Sequence, residues 1–131
     1  MSYAAAAALQ GAVFQHLSAA PALAGVAIYD AVPPQPAGTF VLVGPEEARD
    51  ASDGSGPGAE HLMQVSVVSD GAGFLAAKTL AAEVSDLLAG AALVLARGRL
   101  VSLAFQRARA QRIDAGQVRR IDLTFRARIE L

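Results

Sequence analysis

The two histidines, the carboxylates and a C-terminal run of arginines are where this sequence could build chemistry. An activated nucleophile needs a base within hydrogen-bond reach. His16 and His61 fall in different segments, and neither has a local motif around it. His16 lies beside the apolar stripe of an N-terminal helix, the place of a half-buried packing residue. His61 stands just ahead of a run of strand residues, at the rim, where a solvated side chain is the default. No pair of carboxylates has a helical or strand spacing that would isolate it from water. No His/Asp/Glu group has the spacing of metal ligands. The chain has no cysteine, hence no disulfide framework and no thiolate metal site. Gly54, Gly56 and Gly58 suggest a phosphate loop, but the spacing matches neither the dinucleotide nor the P-loop signature, and no lysine follows. Asp50, Asp53 and Ser55 hint at a calcium loop that lacks its closing glutamate. The expectation is no catalytic residue, no cofactor, no metal site and no enzyme.

The arginines carry a different message. Residues 91–131 hold nine of them against Asp114, Asp122 and Glu130, whereas residues 1–90 hold nine acids against Arg49 and Lys78. Such a division suits a molecule whose two faces meet different partners; wet strand faces and acidic loops would also produce it. The candidate interface residues are Arg107, Arg109, Arg126 and Arg128 on the basic side, and Glu46, Glu47, Asp50 and Asp53 on the acidic side. Two other readings stay open. One is a nucleic-acid-binding module using the arginine-rich hairpin, although the aromatic residues that stack on bases are nearly absent there. The other is a small enzyme of unknown type.

The elements that position these residues follow from periodicity. From Val118 to the end, Ile121, Leu123, Phe125, Ala127, Ile129 and Leu131 alternate with Arg120, Asp122, Thr124, Arg126, Arg128 and Glu130. A period of two marks a strand with one buried and one wet face. Each buried Ile, Leu or Phe contributes roughly 1.5–3 kcal/mol before entropy is counted. Upstream, the Arg99–Gln111 strand puts Val101, Leu103 and Phe105 inward. The same parity would then bury Arg107 and Arg109, so a β-bulge near Gln106 is expected to turn them out and bring Ala108 and Ala110 inside. Asp114-Ala115-Gly116-Gln117 makes the turn between these two strands.

Earlier segments supply the rest. Ser2 to about Ala19 reads as a helix, with Ser2 as its cap and Leu9, Val13 and Leu17 as its stripe. Val26–Val32 reads as a short strand, and Pro33 to Gly38 as a stiff turn. Thr39–Gly44, apolar on both parities, reads as a strand buried on both faces. Residues 45–60 read as one long interaction loop, mobile over 45–59. Glu60–Ser69 is a strand with Met63, Val65 and Val67 on one face and Leu62 and Val68 on the other. Ser69 and Asp70 can cap a second helix carrying Phe74, Ala77, Ala81, Val84 and Leu88, which Gly90 ends. The predicted fold is α+β: a mainly antiparallel sheet of about five strands with two helices packed on one face. It forms a single domain over residues 1–131. No apolar run reaches the roughly 18 residues of a membrane span.

Several of these segments together resemble a known family. They are the helix with Leu9, Val13 and Leu17; Ile28-Tyr29-Asp30 followed by Pro33; Phe40-Val41-Leu42-Val43-Gly44 leading into an acidic loop; and a Val-rich strand running into an amphipathic helix. To these is added the hairpin with Asp114, Gly116, Arg119-Arg120 and Phe125-Arg126-Ala127. The chain is similar over nearly its whole length to the tail-terminator, or tail-completion, proteins of long-tailed phages and of phage-like gene transfer agents. It departs from them in its alanine-rich start and its Gly/Ser-extended loop. The resemblance implies a homo-hexameric ring on the head-proximal end of the tail tube, which ends tube polymerisation and joins the tail to a head-side stopper. It also implies partners in the tail tube protein and the stopper or connector, and DNA crossing the lumen without sequence-specific binding. Assembly would take place in the bacterial cytoplasm, with no membrane partner, and the product would be part of the particle's tail. The family brings no catalytic residues with it.

Overall fold

In the computed structural model, which describes residues 3–35, 37–54, 56–71 and 73–131, the alternating C-terminal segment is a strand and lies inside the sheet. The elements in order are helix α1 (Ala6–Ala19), a 3-10 turn (Pro21–Leu23), strands β1 (Ala27–Tyr29), β2 (Thr39–Asp50) and β3 (Gly58–Ser69), helix α2 (Leu75–Leu88), and strands β4 (Arg99–Ile113) and β5 (Val118–Glu130). The sheet order is β1-β2-β3-β5-β4. Every pairing is antiparallel except the short β1, which lies parallel to β2. Both helices lie against one face, so the α+β architecture holds.

The core forms where the period-two and helical stripes meet. Ile121, Leu123, Phe125, Ala127 and Ile129 of β5 are buried, against Met63, Val65 and Val67 of β3 and Val41 and Val43 of β2. Leu9, Val13 and Leu17 of α1 and Ala77, Ala81, Val84 and Leu88 of α2 close over them. Leu131, the last residue of the alternating run, is exposed beyond the end of the strand. His16 is half-buried, and its Nε2 lies 2.8 Å from the Leu87 carbonyl oxygen, tying α1 to the end of α2. Phe40 and Leu42 of β2 are buried on the opposite face of the sheet with Val68. The Thr39–Gly44 segment is therefore covered on both sides, as its composition suggested.

Several expectations need correction. The strand of residues 26–32 is paired only over Ala27–Tyr29. Residues 45–50 and 58–60 are strand, not loop. An irregularity between Val43 and Glu46 lets the ladder resume, and it runs from Glu46↔Met63 to Asp50↔Ala59, with Asp53 and Gly56 bridged in the hairpin tip beyond it. Glycine and proline in this stretch suggested loop, but one shift in register absorbed Gly44 and Pro45. Helix α1 begins at Ala6 with no side-chain cap, and Ser2 lies outside the described residues. Helix α2 begins at Leu75, too far along for Ser69 or Asp70 to cap it. Ser69 Oγ instead accepts from the Gly71 amide at 3.1 Å and Asp70 Oδ2 from the Gly38 amide at 2.9 Å, so both staple the turns before and beside the helix. Gly90, at φ 75°, does follow the helix end.

Strand β4 holds the expected bulge, with Gln106 skipped between Phe105 and Arg107, and a second one that skips Val101. The second bulge removes Val101 from the inward parity and leaves it 45% exposed. Phe105 keeps the helix-side parity opposite Phe125, edge-to-face at 6.0 Å, but is 46% exposed because β4 lies at the margin of the sheet. Ala108 and Ala110 also take the helix side, opposite Leu123 and Ile121, and yet are exposed.

Candidate functional site: the bare face of the sheet

The helices cover one face of the sheet; the other carries no helix and is open except around Phe40, Leu42, Ser66 and Val68, which are buried. Cross-strand partners share a face, so the register places the bare-face side chains. Across β2, β3, β5 and β4 they run Arg49, Glu60, Arg128, Ser102; then Glu47, Leu62, Arg126, Ala104; then Gln64, Thr124, Arg107; then Leu42, Ser66, Asp122, Arg109; then Phe40, Val68, Arg120, Gln111. The four predicted arginines of the hairpin do share this face. The bulge at Gln106 is what brings Arg107 and Arg109 to it.

Their electrostatic states differ. Arg128 pairs with Asp53 of the hairpin tip at 3.2 Å, and Arg49 with Glu60 at 2.9 Å. Asp122 Oδ1 accepts from Ser66 Oγ at 2.6 Å and from Arg120 Nε at 2.7 Å, fixing β3 to β5 in the middle of the face. Arg107, Arg109 and Arg126 have no hydrogen-bond or ion-pair partner among the described residues. Residues two apart on a strand lie about 6–7 Å apart, so these three like charges repel one another through water. Of the predicted acids, Glu47 is exposed on the bare face beside Leu62 and lines a shallow depression with Arg107. Asp53 is paired with Arg128, and Asp50 Oδ1 accepts from Ser52 Oγ at 2.8 Å. At the β4–β5 turn the face becomes apolar. Phe40, Val68, Ile113 and Val118 line a groove of about 400 Å³ with Arg120 at its margin.

Glu46 and His61 depart from the sequence reading. His61 shares parity with Met63, lies opposite Ala127, and is fully buried on the helix side. Its Nδ1 is 3.1 Å from Glu46 Oε2, its ring stacks beneath Tyr3 at 6.3 Å, and its Nε2 has no partner. Tyr3 is bonded to the same Glu46 carboxylate. That hydrogen bond, with the neighbouring negative charge, pushes its phenol above the ordinary range. Glu46 is thus turned inward. The parity of His61 was readable from the sequence; the roof provided by residues before the helix was not. A buried group that loses its partner costs about 1–3 kcal/mol, whereas removing both partners is nearly neutral. Glu46→Leu, which leaves the buried His61 ring without that partner, is therefore expected to lower stability by about that amount, and adding His61→Leu to it to recover most of the loss. Thermal melts in which the double variant is no more stable than Glu46→Leu alone would show that the pair does not act this way.

One face of the sheet is thus committed to the core, and the other carries the charged residues described above. Residues 11–130 match the family described as tail completion protein gp17, and the chain belongs to that family. It is a structural tail protein and not an enzyme. Among solved structures it is similar to a chain of "Virion of native gene transfer agent (GTA) particle", at 58% identity and a TM-score of 0.91, covering 98% of this chain and 99% of that one. No curated protein matches the chain. No helix among the described residues is long and apolar enough to cross a membrane.

Proposed function

We propose that this protein is a component of a gene-transfer-agent or phage particle, in which it forms a ring on the head-proximal end of the tail tube. The ring ends tube polymerisation and joins the tail to a head-side stopper, and DNA crosses its lumen without being read. The observation that carries the reading is the similarity over nearly the full length of both chains to a protein of such a virion. The bare face supports it: Arg107, Arg109 and Arg126 repel one another in the free protein, and a partner that neutralises them lowers that cost. Acidic residues of a neighbouring copy, Glu47 among them, are the first such partner, and DNA phosphates the second. A ring of six copies follows the family resemblance.

The test is Arg107→Glu combined with Arg126→Glu. Neither side chain enters the core, so the variant is expected to fold with a melting temperature within a few degrees of the parent. It is expected to lose ring formation on tail tubes and tail joining, and added salt should weaken assembly of the parent in the physiological range. Negative-stain microscopy with tail tube protein reads the outcome. A variant that folds, forms rings and joins tails like the parent would remove the arginine face from the interface. Salt-sensitive DNA binding by the isolated parent monomer, lost in the variant, would favour the nucleic-acid module instead.

A further inference from the structure

The sheet has two open edges, and they differ. At one margin β4 pairs only with β5; Leu103 on its outward row accepts from the Gly90 amide at 2.7 Å, and beyond Gln106 that row has no backbone partner among the described residues. After the bulge at Gln106, Arg107–Ile113 runs without interruption. At the other margin the short β1 pairs only with β2. A long open edge is a template for another strand unless something covers it.

The layer of helices is incomplete in the same place. Helix α1 packs on β1 and β2, and α2 on β3, β5 and one part of β4. Beside α2, the helix side of β4 at Phe105, Ala108 and Ala110 has no roof. Helix α1, by contrast, has no Asp, Glu, Lys or Arg over its whole length. Its exposed positions, Ala7, Gly11, Gln15, Ser18 and Ala19, are small or neutral. A second copy placed with its β1 against β4 would bring its own α1 over that bare floor and continue both layers.

Direction, parity and charge agree with this placement. Strand β1 runs with β2, and three antiparallel steps then lead to β4, so β4 runs opposite to β1. Rotation about an axis along the strands preserves direction, and the two edges therefore meet as an antiparallel pair. Ile28 lies on the helix side, as Ala108 and Ala110 do; Tyr29 lies on the bare face, as Arg107 and Arg109 do. Asp30, exposed next to β1, has no partner among the described residues and approaches the arginine-bearing edge.

We infer that copies of this chain join edge to edge, β4 of one against β1 of the next, with the second copy's α1 closing over Phe105 and Ala108. The contact uses unlike surfaces, so it repeats head to tail and closes into a ring if the rotation permits. The inference rests on the ring reading above and names the contact that would build it.

The chain has no cysteine, which permits a direct test. Ala27→Cys with Gln111→Cys, and Ala31→Cys with Gln111→Cys, place one thiol on each margin. The parent chain assembled on tail tubes provides the reference rings. A short bis-maleimide is expected to link at least one of these variants into a ladder of multimers on a denaturing gel. Ala27→Cys with Thr79→Cys, the latter on the exposed side of α2, should stay monomeric. Rings seen by microscopy with no ladder from either margin pair would overturn the edge contact and leave the ring reading standing. Ladders from open strings that never close would support the edge contact and overturn the ring. Neither rings nor ladders would overturn both.

Discussion

Leu123→Asp is expected to unfold this protein at room temperature, while Thr124→Asp, one residue further on, leaves it folded. Leu123 is 3% exposed, opposite the fully buried Val65. A carboxylate there loses its water and finds no cation or donor on the helix side, because the neighbouring side chains are those of the core. It must stay charged without a partner or take up a proton, and either costs several kcal/mol. The lost Leu packing adds about 2–3 kcal/mol. A domain whose whole stability is about 5–15 kcal/mol does not absorb that easily. Thr124 faces the other way, half-exposed on the bare face with Arg107 opposite it. An added carboxylate there meets cations in water, and the change should stay within about 1 kcal/mol. Circular dichroism melts of the two variants decide the matter. A folded Leu123→Asp beside an unfolded Thr124→Asp would mean that the two faces of β5 are assigned the wrong way round.

The second large effect is at Gly98. Its φ is 78°, and a Cβ placed there would lie 3.0 Å from Ile129 Cγ2 and 3.1 Å from the Glu130 carbonyl oxygen. Ile129 is fully buried and Glu130 is held in the ladder with Arg99, so neither has much room to move. Gly90 has nearly the same φ, 75°, but nothing within 4 Å of its Cβ position. The left-handed backbone alone costs an alanine about 1–2 kcal/mol. Gly90→Ala should cost that much, and Gly98→Ala about 3 kcal/mol or more, since steric overlap adds to the backbone cost. Equal losses in denaturant titrations would show that the start of β4 yields to the extra methyl group.

How much of this was legible in the sequence depended on how loudly a residue protests at the wrong address. The inward and outward sets of β5 were plain because arginines and large aliphatic residues alternate. The bulge at Gln106 was legible for the same reason: without it, Arg107 and Arg109 would point into the core. The bulge at Val101 was not, because neither valine nor serine signals an error on either face. The extension of β2 past Pro45 was hidden by residues that locally favour turns, and only the long partner β3 holds it in the ladder. Of the candidate interface, the shared face of the four arginines was readable. The capture of Arg128 by Asp53 was not, since it joins residues 75 positions apart across a fold that periodicity does not specify.

The position of β5 between β3 and β4 bears on how the protein is made. The strand that is synthesised after the other four fills the middle of the sheet, and β4 touches no other strand until it arrives. A nascent chain that has reached Ile113 therefore has a β1-β2-β3 sheet with its apolar face incomplete and a fourth strand with nowhere to pair. Folding is coupled to the end of translation of this segment, and a chain cut short within β5 leaves no smaller native core behind. Such a product exposes two long unpaired edges at once, so it is a target for proteolysis. The supply of subunits to the tail is thereby restricted to chains that carry the complete arginine-bearing hairpin.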